Sequence, residues 1–203
     1  EEQTIAFQED VRRLNDTATS WGLTMNFRKC AVLRFRRRFH PDVTPEYKLG
    51  GSAIPVVPSQ TDLGITIDDT LKFHEQARSA ACKAGGVAHN LLKSTVCRSP
   101  DFMLHLLKVH IRPILEYGSV VWNTGYIMDR KKVESVQRLW TRHIMGLEGK
   151  SYGERLEALD LYSVEGRFLR ADLIKCWKIF HGQSPVQPAS LWEINTDTRT
   201  RGH

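Results

Sequence analysis

The chain has 203 residues, of which 41% are hydrophobic, which is enough for one domain with a real core or for two small ones. A mean hydropathy of -0.37 and the lack of a long apolar run exclude a membrane-spanning helix, and the opening Glu1-Glu2, with no apolar stretch behind it, excludes a signal peptide. A net charge of +6 favours polyanionic partners, and the four cysteines, Cys30, Cys82, Cys97 and Cys176, form no C-x-x-C pair, which excludes a zinc ribbon and fits reduced thiols in an intracellular protein.

The first element is a helix over about residues 3–21, because Phe7, Val11, Leu14, Ala18 and Trp21 recur on one helical face and Gly22 follows as a stop. Residues 30–36 alternate in strand fashion. Arg28, Lys29, Arg34, Arg36, Arg37 and Arg38 crowd this stretch without an acidic neighbour, which reads equally as a polyanion contact or as a charge-protected edge strand. A turn-rich loop spans Pro41 to Pro45. Gly50-Gly51 lies between two β-type runs and predicts a hairpin, and Leu63 to Ile67 reads as a further strand.

Beyond Asp69 the pattern turns helical. Phe73, Ala77, Ala80, Ala84, Val87 and Leu91 mark one long helix. Ser99-Pro100-Asp101 opens the next, with Met103, Leu106, Leu107, Ile111 and Leu115 on its buried side and Pro113 as a kink. Val133, Val136, Trp140, Ile144 and Leu147 mark a third, and Tyr152 to Leu159 a short fourth. Leu169, Leu173, Trp177 and Phe180 mark the last, with Gly182 ending it. Pro185 to Pro188 reads as a loop, and the segment from Asn195 as a mobile polar tail. The expected organisation is α+β and mainly helical: residues 1–69 as a helix on a small antiparallel sheet, 70–185 as an all-α bundle, and 186–203 as the tail.

Several ordered strings resemble LINE-type (non-LTR, jockey-like) retrotransposon reverse transcriptases. They are Trp21-Gly22-Leu23-Thr24-Met25-Asn26-Phe27-Arg28-Lys29-Cys30, Tyr47 to Gly51 followed by Asp62 to Asp68, and Arg112 to Trp122. Val133 to Arg138, Tyr152 to Leu156, Asp172-Leu173-Ile174 and Lys178 to Gly182 continue the series, and Thr200 to His203 close it. The resemblance covers nearly the whole chain. It implies the C-terminal part of the palm followed by the thumb and connection region, with the catalytic aspartates, fingers and endonuclease encoded upstream. The absence of an initial methionine also suggests a fragment. The implied parent is an RNA-directed DNA polymerase that uses magnesium and dNTPs, binds an RNA template and DNA primer, and works in cytoplasm and nucleus. This chain alone is then expected to be catalytically inactive, with no cofactor of its own. The alternative is a domesticated or stand-alone helical module that binds nucleic acid or protein.

The resemblance also assigns residues. Lys29 resembles the motif D lysine, a general acid towards departing pyrophosphate, although as a residue it also reads as a surface lysine. Leu63 and Gly64 resemble the primer grip, or simply a tight strand end. Lys83, Lys93, Lys108, Arg98 and Arg112 fall on the implied thumb, where some would contact phosphates and others would be ordinary solvated charges. Asp68-Asp69 reads as a turn and helix cap rather than a metal site. Trp122, Trp140 and Trp177 read as core residues. His105 with His110, and Cys176 with His181, have poor spacing for metal.

Overall fold

A computed structural model describes residues 2–35, 46–123 and 125–193. The chain is α+β and mainly helical, and it divides into two compact units, Glu1–Gln76 and Ala77–His203.

In the first unit, α1 spans Glu2–Ser20, as the periodicity predicts. Its apolar stripe is nevertheless largely solvent-facing: Leu14 is 60% and Trp21 76% exposed. What ties α1 down is partly polar. The Gln8 amide donates to the Lys48 carbonyl and accepts from the Lys48 N–H, both at 2.8 Å, so it acts as a surrogate strand partner. Phe7 packs edge-on against Tyr47 with ring centroids 4.9 Å apart.

The β structure is three two-stranded ladders rather than one antiparallel sheet. β1 (Val32–Leu33) pairs in parallel with β4 (Val56–Val57), β2 (Lys48–Leu49) pairs antiparallel with β3 (Ser52–Ala53), and β5 (Ser59–Asp62) pairs antiparallel with β6 (Ile65–Asp68). The strand expected over 30–36 shrinks to β1, because Phe27–Lys29 forms a 3-10 turn before it and its only ladder partner, β4, is two residues long. The Gly50-Gly51 hairpin forms as expected, with φ of 57° and 83°. A Cβ on Gly50 would lie 2.7 Å from Phe27 Cζ, so glycine is required there both by conformation and by close approach. The segment Leu63–Ile67 is not one strand. Leu63 and Gly64 form the tip between β5 and β6, and the apolar run misled because only Ile65 in it is buried. Arg36, Arg37, Arg38, the Pro41–Pro45 loop and the tail from Asn195 lie outside the described residues.

The second unit is built from helices. α2 (His74–Ser94) starts at the end of the first unit, and its Ala77, Ala80, Ala84 and Ala88 form a buried stripe of small side chains. α3 (Pro100–Leu106) opens with proline, whose missing N–H costs nothing in a first turn. It runs into a π-helical turn, Leu107–Ile111, and then into α4 (Arg112–Glu116). Instead of a simple kink at Pro113, the backbone widens just upstream, where the Arg112 N–H donates to Leu107 O. Proline cannot donate to a carbonyl in the preceding turn and its ring crowds it, and the wider turn accommodates both effects. Met103, Leu106, Leu107, Ile111 and Leu115 are all buried, as the spacing predicts.

Gly118, at a φ of 63°, reverses the chain into α5 (Ser119–Trp122), which is too short to leave a periodic signal. α6 (Ile127–Thr141) buries Val133, Val136 and Trp140, and the turns after it bury Ile144 and Leu147. Trp140 donates its indole N–H to Met103 O at 3.1 Å, and Trp122 packs edge-on against Phe168. α7 (Tyr152–Ala158) starts with a capping box between Ser151 and Glu154.

α8 (Val164–Phe180) reverses its expected face. Leu169, Leu173, Trp177 and Phe180 are all at least half exposed, whereas Val164, Phe168 and Ile179 are buried. The helix is apolar on more than one side, so periodicity finds the helix but cannot choose which side faces the core. Trp177 is thus not a core residue. Its ring stacks on His181 at 4.1 Å instead. No described helix is long and apolar enough to cross a membrane.

Candidate nucleic-acid interface

The residues singled out by sequence fall into three environments. Lys29 ends the Phe27–Lys29 turn and is exposed. Leu63 and Gly64 occupy the β5–β6 tip with φ of 47° and 81°, a pairing typical of a two-residue hairpin turn. The Leu63 side chain is 83% exposed, although leucine at positive φ costs about 1–2 kcal/mol. An apolar side chain held in solvent at a strained position is unusual. Strain of this kind concentrates at positions that contact ligands.

Lys83 and Lys93 on α2, and Lys108 on the π-helical turn, are exposed and make no ion pair or hydrogen bond through their side chains among the described residues. Lys83 and Lys93 lie about 15 Å apart along the helix axis, a spacing suited to following a backbone rather than gripping one group. Arg98 and Arg112 differ, because both are engaged within the chain. Arg98 donates to the carbonyls of Thr95, Cys97 and Leu92 at 2.8–3.1 Å and so caps the end of α2. Arg112 lies 3.5 Å from Glu116, and its buried Nε makes no hydrogen bond. Burial and the neighbouring Arg167 charge lower its pKa, while Glu116 opposes the shift. Glu116 in turn takes both Nε and Nη2 of Arg167, linking α4 to α8.

Asp68 is a turn residue, as the sequence suggests. Its carboxylate accepts from the Thr70 hydroxyl and from the N–H groups of Thr70, Lys72 and Phe73, ahead of α2. Burial pushes this carboxyl up, but the hydroxyl and backbone donors outweigh it and hold its pKa below the usual value.

Sequence reasoning missed a polar joint among α6, α7 and α8. Tyr152 donates its hydroxyl to Glu134, which also accepts from the N–H groups of Val164 and Glu165 at 3.2 and 3.1 Å. Gln137, almost fully buried, donates to Tyr152 Oη and to the Tyr162 carbonyl at 3.1 and 3.0 Å. Burial, reinforced by the Glu134 hydrogen bond and charge, pushes the Tyr152 phenol well above its usual pKa. The available signal was two polar residues, Glu134 and Gln137, interleaved with the buried positions of α6. Both belong to the string Val133–Arg138, and Tyr152 belongs to another of the family-like strings.

No protein-family model matches the chain, and no curated protein or solved structure matches it. Chemically, the described surface offers exposed lysines and a projecting hairpin tip. Among the described residues no group of three or more His, Cys, Asp or Glu side chains is arranged to hold a metal ion. Asp68 already accepts four hydrogen bonds. The donor set therefore does not fit a two-metal polymerase centre, which needs several carboxylates converging on two cations.

Proposed function

We propose that this chain is the C-terminal palm and thumb portion of a non-LTR retrotransposon reverse transcriptase, and that it positions an RNA–DNA template–primer without carrying out the chemistry. The supporting observation is the set of exposed lysines, Lys83, Lys93 and Lys108, with no anionic partner among the described residues. They stand on helices whose opposite sides are buried, so the cations are presented from a fixed scaffold. Leu63 and Gly64 would approach the primer backbone, and Lys29 would face the departing pyrophosphate in the parent enzyme. Magnesium, dNTPs and the catalytic carboxylates would belong to upstream palm, fingers and endonuclease regions, in an element product working in cytoplasm and nucleus. Arg98 and Arg112 take internal roles and are left out of the duplex contacts.

The test is a fluorescence-anisotropy titration of an RNA–DNA hybrid over a salt series. Affinity should fall as salt rises, and each of Lys83→Gln, Lys93→Gln and Lys108→Gln should flatten the log–log salt slope by about one unit. Binding that ignores salt, or slopes unchanged in all three variants, would remove the proposal. Incorporation of dNTPs by the purified chain with magnesium would remove its non-catalytic part.

The exposed α8 face of Leu169, Leu173, Trp177 and Phe180 favours a second reading, a helical module that docks on protein. Primer extension by a protein joining this chain to its upstream reading frame separates the two readings.

A further inference from the structure

Between the end of α6 and the start of α7 lies an open hollow of about 470 Å³, lined by Arg138, Arg142, Lys150 and Arg155 together with Tyr152 and Glu148. None of these cations was singled out as a contact by sequence, and none has a carboxylate within ion-pair distance among the described residues.

Arg155 is the unusual member, because its side chain is buried. Its guanidinium is held by neutral acceptors only: Nε donates to Thr141 Oγ1 at 3.1 Å, one terminal nitrogen to Lys150 O at 2.7 Å, and the other to Arg138 O at 3.4 Å. Its hydrogen bonds are met but its charge is not. A buried cation without a counter-ion is costly, and the adjacent Arg142 and Arg138 charges add repulsion. The Tyr152 ring lies under both Arg138 and Arg155, at 4.7 and 5.5 Å from their guanidinium carbons, which fixes the two planes without neutralising them. Glu148, the one carboxylate in the lining, turns to the Gly146 N–H at 3.2 Å. The capping box occupies the first donors of α7, so the helix end contributes nothing further.

Cations gathered without counter-charge around one hollow suit a compact, multiply charged anion. A duplex backbone instead presents single charges spread along its length. We propose that this hollow binds a phosphomonoester group, with Arg138, Arg142 and Lys150 as the exposed donors and Arg155 as a fixed positive floor. The group could arrive as the phosphorylated end of a nucleic-acid strand or as a free phosphate compound. The site is separate from Lys83, Lys93 and Lys108 and does not depend on the polymerase reading.

Calorimetric titration of the full chain with inorganic phosphate tests the shared chemistry. Arg138→Gln and Arg142→Gln should each weaken binding by about tenfold, the loss expected for one charge-assisted contact. Both side chains are exposed, so thermal midpoints measured without phosphate should match the parent chain; Lys150→Gln is a further surface variant should either change the fold. A 5′-phosphorylated oligonucleotide is then compared with its 5′-hydroxyl twin. Tighter binding of the phosphorylated strand, lost in Arg142→Gln, identifies strand ends as the source. Equal binding of the twins, with phosphate still bound, identifies free phosphate compounds. No phosphate binding, or equal binding by the parent chain and all three variants, overturns the proposal.

Discussion

The two units hold themselves together differently. Residues 77–193 bury large side chains almost completely, with Met103, Leu107, Ile111, Leu115, Trp122 and Trp140 at 0–2% exposure. The first unit relies on two- and four-residue ladders, backbone-directed hydrogen bonds from Gln8 and Asp68, and turns that demand positive φ. In the helical unit stability comes mainly from area removed from water, and in the first unit from satisfied polar geometry. The same kind of substitution should therefore have opposite consequences in the two.

The largest contrast is expected for tryptophan. Trp140→Ala should destabilise the chain by about 3–5 kcal/mol in urea unfolding, through a cavity and the lost bond to Met103, whereas Trp21→Ala should fall within about 0.5 kcal/mol. Equal effects would mean that α1 is packed far more tightly than its exposure indicates. Next comes Glu134→Ala, which leaves the Tyr152 hydroxyl and the Val164 and Glu165 N–H groups without their acceptor and should cost about 2–3 kcal/mol by the same measurement. A cost near zero would show the joint to be dispensable. In the first unit, Gly50→Ala should cost about 1–2 kcal/mol, from its positive φ and its contact with Phe27, while Leu63→Gly should stabilise by about 1 kcal/mol while weakening hybrid binding.

The smallest effects are those of pH. The folded Asp68 pKa lies below its ordinary value of 3.8, so its contribution is complete above that pH and is lost as the pH falls through the folded value. Tyr152 runs the other way. Its pKa is raised above 10.0, so its contribution is complete below pH 10 and declines as the pH rises beyond it. Asp68→Asn should therefore flatten the acid limb of the stability profile, and Tyr152→Phe the alkaline limb.

The helices after Asp69 were legible because the 3.6-residue period survives wherever one side meets a core, as at Met103–Leu115 and Val133–Leu147. Orientation was not legible for α8, where Phe168 and Leu169 offer equally apolar sides, nor for α1, whose stripe predicts burial that Leu14 and Trp21 do not show. The ladders were harder still: two-residue strands carry no alternation, and the parallel β1–β4 pair joins segments over twenty residues apart. At the candidate interface, composition and resemblance pointed to cations, but sequence could not distinguish Lys83, which faces solvent, from Arg98, which turns back onto its own helix. The Arg155 hollow escaped notice because its members come from α6, α7 and the connection between them.

The widened turn at Leu107–Ile111 also has a consequence for the register of everything after it. One surplus residue in a helix advances the following side chains by about 100° around the axis, so this turn acts as a swivel that aims Leu115 inward past a proline. Excising a single residue there would give a more regular rod and a misaligned one, with Glu116 swung away from Arg167 and the clasp to the last long helix undone.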